Sequence, residues 1–159
     1  MLLLDLIGEF ATTGRLGPLS AGMPAAQAWA ALGVPPEADE TGNYRFGSLD
    51  FALRDGVVSV LGLEHEGNLT FDLPAALGGP AAESGPITYE EMTAALAARG
   101  CPAEPVLTVP ESSTVMRAGK VHLSFVWPAE AADWGVEPAP DQLLLANVGR
   151  SAEWQGDAP

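Results

Sequence analysis

A chain of 159 residues, 47% of them hydrophobic, is long enough for one domain or for two small repeats sharing a core, which excludes global disorder. Its formal charge of −14, from 21 acids against 7 bases with Lys120 the one lysine, argues against nucleic acid and anionic membranes as partners; it suits a basic protein, beside the plainer role of solubility. A single cysteine, Cys101, excludes an internal disulfide and a cysteine metal cluster. Richness in Ala, Gly and Pro, with Arg in place of Lys, has the look of a GC-rich bacterial coding bias. The apolar opening MLLLDLI is interrupted by Asp5 and has neither a basic n-region nor a small-residue cleavage pattern. No run approaches membrane-spanning length, so the expected location is the cytoplasm.

In chain order, Leu3, Leu6, Ile7 and Phe10 fall at helical spacing and predict a short amphipathic helix over 2–10. Residues 12–22 read as a loop. Pro24 suits a first helical position, a helix over 25–32 follows, and Gly33 suits a left-handed C-cap before Pro35 and Pro36. Residues 37–43 form an acidic loop. The stretch 44–63, YRFGSLDFALRDGVVSVLGL, carries the clearest signal, two alternating runs joined by Asp55-Gly56, a pair that accepts a type I′ turn. A two-residue loop sets Leu53 opposite Val58, Phe51 opposite Val60 and Leu49 opposite Gly62 on the buried face. Ala52 then opposes Ser59, and Asp50 opposes Leu61, on the wetter face. A third strand is expected over 68–73, where Leu69, Phe71 and Leu73 alternate.

Residues 74–86, PAALGGPAAESGP, read as a linker. Thr88 and Glu91 open the next helix as a capping box, with Tyr89, Met92 and Leu96 as its stripe and Arg99 at its C-terminal end. Strands are expected over 106–109, 114–118, 121–127 and 143–148, with an acidic loop over 128–140 and a frayed tail from Gly149. The two halves echo one another in type, helix then Gly47-led strand against helix then Gly119-led strand. The expected fold class is therefore α+β: two helix-plus-antiparallel-meander units, a tandem repeat, with helices packed on one face of an antiparallel sheet. The units span 1–73 and 87–148, with the linker 74–86 between them and a flexible tail over 149–159.

Chemistry is hard to find. His65 and His122 are far apart, and no His-x-x-x-His or Cys-x-x-Cys spacing exists, so no metal or other cofactor is expected. His65 reads as a solvated strand-end residue and His122 as an outward-facing one. Glu90-Glu91 is explained by capping rather than by a glycosidase pair. Ser112-Ser113 lacks a nucleophile-elbow context, and Gly78-Gly79 precedes no helix that could cradle phosphate. Cys101 sits at a helix end, where the dipole raises its pKa. Trp29 and Trp127 read as core, and Trp154 falls in the tail. Trp134, in an acidic loop, has two readings: a protein-binding anchor or a lid folded over the sheet.

Gly22-Met23 through Leu32-Gly33-Val34-Pro35, then Tyr44-Arg45-Phe46-Gly47-Ser48-Leu49-Asp50-Phe51, gives a G-M-x8-L-G-x-P helix followed by a Y-x-F-G-x-L-x-F hairpin. The pattern resembles small cytoplasmic immunity-type proteins encoded beside polymorphic toxins. More loosely, it is similar to the helix-plus-meander module of the outer-membrane assembly lipoprotein family and of β-lactamase inhibitory protein. The resemblance covers residues 17–63 by motif and 87–148 by layout. There is no lipobox cysteine, which argues against a lipoprotein, and one cysteine cannot form the disulfides of the secreted inhibitors. The resemblance implies a non-enzymatic binding protein that neutralises a cognate toxin with a basic surface. Charge and aromatic content nominate Glu37, Asp39, Glu40, Glu64, Glu66, Glu130, Asp133, Trp134 and Glu137 for that contact, with neither nucleic acid nor membrane as partner. The alternative is a small-ligand-binding or regulatory scaffold module of the same fold.

Overall fold

The computed structural model describes residues 3–33, 42–79, 86–110 and 112–151. Helix α1 (Leu3–Thr13) buries the expected Leu3, Leu6, Ile7 and Phe10 and runs one turn further than the apolar spacing indicates. The Thr12 and Thr13 hydroxyls donate to the Gly8 and Glu9 carbonyls and prolong it, until Gly14 at φ +77° donates to Phe10 O and ends it. Where a loop is expected, β1 (Arg15–Leu16) and β2 (Leu19–Ser20) form a minimal hairpin. Helix α2 (Ala25–Leu32) follows. Pro24 is its N-cap rather than its first helical residue, and Gly33 closes it in the left-handed conformation, donating to Trp29 O.

The expected first hairpin strand is two strands, β3 (Asn43–Phe46) and β4 (Leu49–Arg54), folded back at Gly47-Ser48. Gly47 supplies φ +56°, and buried Ser48 donates its N–H to Asp72 O at 2.7 Å while its Oγ accepts from Asp72 N at 2.8 Å. That clamp explains why 68–73 is not a strand. The segment crosses under the turn with Asn68 and Leu69 at positive φ, and it buries Leu69, Phe71 and Leu73 without joining the sheet. The Asp55-Gly56 turn has φ +52° and +79° and joins β4 to β5 (Val57–Glu64) as expected, with Leu53 opposite Val58. Beyond that pair the expected register fails by one residue. Ser59 is extra, so Ala52 faces Val60, Phe51 faces Leu61, Asp50 faces Gly62 and Leu49 faces Leu63. The bulge puts the larger Leu61 rather than Val60 into the core, and the Ser59 hydroxyl donates to Ala52 O beside it.

Helix α3 (Tyr89–Ala98) opens with the full capping box. Glu91 N donates to Thr88 Oγ1 at 3.1 Å, and Thr88 N donates to Glu91 Oε2 at 2.9 Å. Arg99 is its C-cap and reaches Asp5 of α1 at 3.2 Å, tying the two helices together. Then come β6 (Glu104–Val109), β7 (Ser113–Ala118), β8 (Val121–Val126), a short helix α4 (Pro128–Ala132) inside the expected acidic loop, and β9 (Leu144–Ser151). The last strand carries the chain past Gly149, where a frayed tail is expected; residues 152–159 lie outside the described ones.

The fold class is α+β; among the described residues the main sheet has seven antiparallel strands in the order β3-β4-β5-β9-β8-β7-β6. The last strand, β9, lies between β5 and β8 and joins the two meanders into one sheet. Buried residues of α1, α2 and α3 share one core with Phe51, Leu61, Leu63, Leu123, Phe125 and Val148. A second, smaller cluster of Leu69, Val126, Ala131, Leu144 and Ala146 includes the α4 residue Ala131. Among the described residues no helix is long and apolar enough to cross a membrane.

Candidate functional site

Two of the acids nominated by sequence flank His65 at the end of β5, and both are engaged. Arg45 of β3 approaches Glu66 Oε1 at 2.9 Å and Glu64 Oε2 at 3.4 Å, and donates to the carbonyls of Gly47 and His65. The hydrogen bond to Glu66 is the main reason the Arg45 pKa lies above its ordinary value. This cross-strand clamp spends part of the negative charge internally. Its signal in the sequence is one arginine in an acidic stretch, at an outward position of an alternating run.

His65 is not the solvated residue expected. Its N–H donates to Ala146 O at 3.1 Å, its Nδ1 accepts from Gly67 N at 3.2 Å, and its ring meets Trp134 edge to face, centroids 4.6 Å apart at 79°. With Nδ1 accepting, the neutral ring carries its proton on Nε2. Burial pushes its pKa below the ordinary histidine value, and Arg45 lowers it further, against the opposing pull of Glu64 and Glu66.

Trp134 stands on the turn that ends α4. Its N–H donates to Ala131 O, Gly135 turns the chain at φ +74°, and Val136 N returns to Ala131 O while Val136 packs on the smaller apolar cluster. The indole packs on His65, and Trp134 keeps 40% of its surface exposed. Glu130 is half-buried on α4, whereas Asp133 and Glu137 are exposed on either side of the turn. The fold thus brings the 64–66 segment to the 130–137 segment through the His65–Trp134 contact. Glu37, Asp39 and Glu40 lie outside the described residues.

On the outward side of the sheet Asp50, Gly62, Gly149, His122, Arg117 and Glu104 are successive cross-strand neighbours from β4 to β6. A cavity of about 260 Å³ lies over the two glycines, edged by Asp50, Glu64 and Asn147. His122 is outward-facing as expected, its pKa lowered first by burial and then by Arg117. Cys101 is buried beside a cleft of about 450 Å³ that also touches Arg117 and Lys120. Desolvation holds the thiol above its ordinary pKa, the wrong direction for a nucleophile. Trp29 is half-buried against Tyr44 and Phe51 at the margin of the main core. Among the described residues no group of three or more His, Cys, Asp or Glu is placed to hold a metal ion. No family model, curated protein or solved structure matches this chain.

Proposed function

We propose that this is a non-enzymatic cytoplasmic binding protein, an immunity protein that neutralises a cognate toxin by covering it with an acidic face. The observation that carries the reading is Trp134, a large aromatic residue packed on His65 and 40% exposed, with exposed Asp133 and Glu137 beside it on a chain of net charge −14. An aromatic anchor ringed by charge is the usual composition of a binding hot spot, and a surplus of one sign steers an oppositely charged partner into place. We read the chain as a tandem repeat of helix-plus-meander units with helices on one face of the sheet. Supporting this, α2 precedes the β3-β4-β5 meander as α3 precedes β6-β7-β8, and buried residues of both helices enter the same core. That layout leaves the α4 turn and the outward side of the sheet to the partner.

The test is surface-based kinetics against the protein encoded by the adjacent gene, over a salt series, with co-expression to score rescue from toxicity. Association is fast at low salt and slows as ions screen the acids. Neutralising Asp133 and Glu137 slows association more than neutralising Glu64 and Glu66, which Arg45 already occupies. Trp134→Ala raises the off-rate, at a cost of about 2 kcal/mol or more. Absence of both binding and rescue refutes the immunity reading; binding without salt dependence refutes its electrostatic mechanism.

A further inference from the structure

At the opposite edge of the sheet from β3, strand β6 is exposed along its whole length. Val106, Leu107 and Val109 are 55%, 58% and 44% exposed, and β7 is the one strand paired with β6 among the described residues. Leu107 and Val109 stand opposite Val115 and Ser113, and Glu104 stands opposite Arg117 on that same face. The strip thus runs from aliphatic to charged along one side of an open edge. We propose that β6 is a strand-addition site, which takes an extended segment of a partner protein carrying β-branched or aromatic residues at alternate positions and a Lys or Arg at the end that meets Glu104.

Three features select this occupant. An edge strand offers a row of outward N–H and C=O groups, which only another extended backbone satisfies in full. Alternate side chains of an added strand fall on the same side as Leu107 and Val109 and pair with them laterally. A second copy of this chain is a poor occupant, because it brings another −14 of charge to an edge strand of six residues. The Glu104 carboxylate, by contrast, has Arg117 at 3.5 Å on one side, keeps its side chain 67% exposed and complements a basic residue. Pro105 lacks an N–H, and the register shift between Pro105 and Leu107 interrupts the ladder, so backbone donors come from Val106 to Val109. That short ladder discourages indiscriminate edge pairing and leaves specificity to the side chains.

The inference takes from the proposed function only that the ligand is a protein; it does not use the acidic face. The experiment is a selection of displayed random decapeptides on the whole protein, followed by affinity measurements on the Leu107→Lys/Val109→Lys variant and on Trp134→Ala. Enriched peptides are expected to alternate Val, Ile, Tyr or Phe with polar residues, to carry a terminal Lys or Arg, and to lose roughly tenfold or more in affinity on the double-lysine variant. They should bind Trp134→Ala unchanged and slow amide exchange at residues 106–109 of the wild-type protein, a readout independent of how the variant folds. Failure to enrich any peptide, equal affinity for the double-lysine variant, or protection confined to other strands overturns the proposal. Those results leave the immunity reading untouched, since its test uses the adjacent gene product and Trp134.

Discussion

The extra residue at Ser59 assigns opposite fates to two neighbouring side chains. Val60, opposite Ala52, is 46% exposed, whereas Leu61, opposite Phe51, is fully buried. In an unbulged hairpin Val60 would take the place of Leu61. Leu61→Ala removes a branched side chain from a closed site and is expected to cost about 2–5 kcal/mol, while Val60→Ala stays within about 0.5 kcal/mol. At about 2–4 °C per kcal/mol for a chain of this size, the first lowers Tm by roughly 4–20 °C and the second by no more than about 2 °C. Phe51, packed against Trp29, Tyr44 and Phe46, is the partner that distinguishes the registers. Phe51→Ala alone costs about 3–5 kcal/mol. Combined with Leu61→Ala it departs from additivity by about 0.5–3 kcal/mol, but combined with Val60→Ala it adds simply. Urea melts at constant m-value measure all five variants. A Val60→Ala loss equal to that of Leu61→Ala, or coupling of Phe51 to Val60, refutes the bulge.

The pKa values of His65 and His122 both lie below the ordinary histidine value, so the unfolded chain takes up these protons first. Their contribution to stability is therefore complete above pH of about 6.5 and falls as pH drops toward the folded values. Melts of the His65→Gln/His122→Gln variant should show a flatter acid limb, and proton NMR should place both ring titrations below the ordinary value. Glu66→Gln removes the closer ion-pair partner of Arg45, on a solvated surface; it should cost less than about 1 kcal/mol at low salt and less still at high salt, by thermal melts. At Gly119, φ is +53° and a Cβ would fall 2.4 Å from both Ala11 O and Cys101 Sγ, whereas at Gly33, φ +74°, it would meet open space. Gly33→Ala should cost only the roughly 1–2 kcal/mol of the left-handed conformation, and Gly119→Ala clearly more, by urea melts of the two side by side.

What was legible in the sequence was local chemistry. The Thr88–Glu91 box, the Gly33 cap and the Asp55-Gly56 turn are each settled within four residues, and each stands as read. The alternation of 68–73 misled, because Leu69, Phe71 and Leu73 are buried by a crossing segment whose backbone answers to Ser48, some twenty residues earlier in the chain. The register slipped because a two-residue turn constrains only the pairs beside it, and a bulge further along the strand leaves no mark in the hydrophobic pattern. The early end expected at Gly149 has the same origin. The residues of β9 are held by β5 and β8, pairings over distances that local composition does not record.

The candidate site divides along the same line. Its acids and its tryptophan were visible as residue types, but the job each performs depends on Arg45 and His65. Arg45 holds Glu64 and Glu66 at the end of β5, and His65, whose backbone N–H donates to Ala146 O and whose ring accepts from Gly67 N, supports the indole. The N-terminal meander thus supplies the support, while the α4 turn supplies the exposed ring with Asp133 and Glu137 beside it. An anchor held by a neighbour from a distant part of the chain loses less freedom on binding than one on a free loop, and preorganisation of that kind lowers the entropic cost of association. The same contact makes the proposed anchor sensitive to the charge of His65. Protonation turns Nδ1 from an acceptor into a donor, so it no longer accepts from Gly67 N, and the ring that supports the indole loses that hold at low pH.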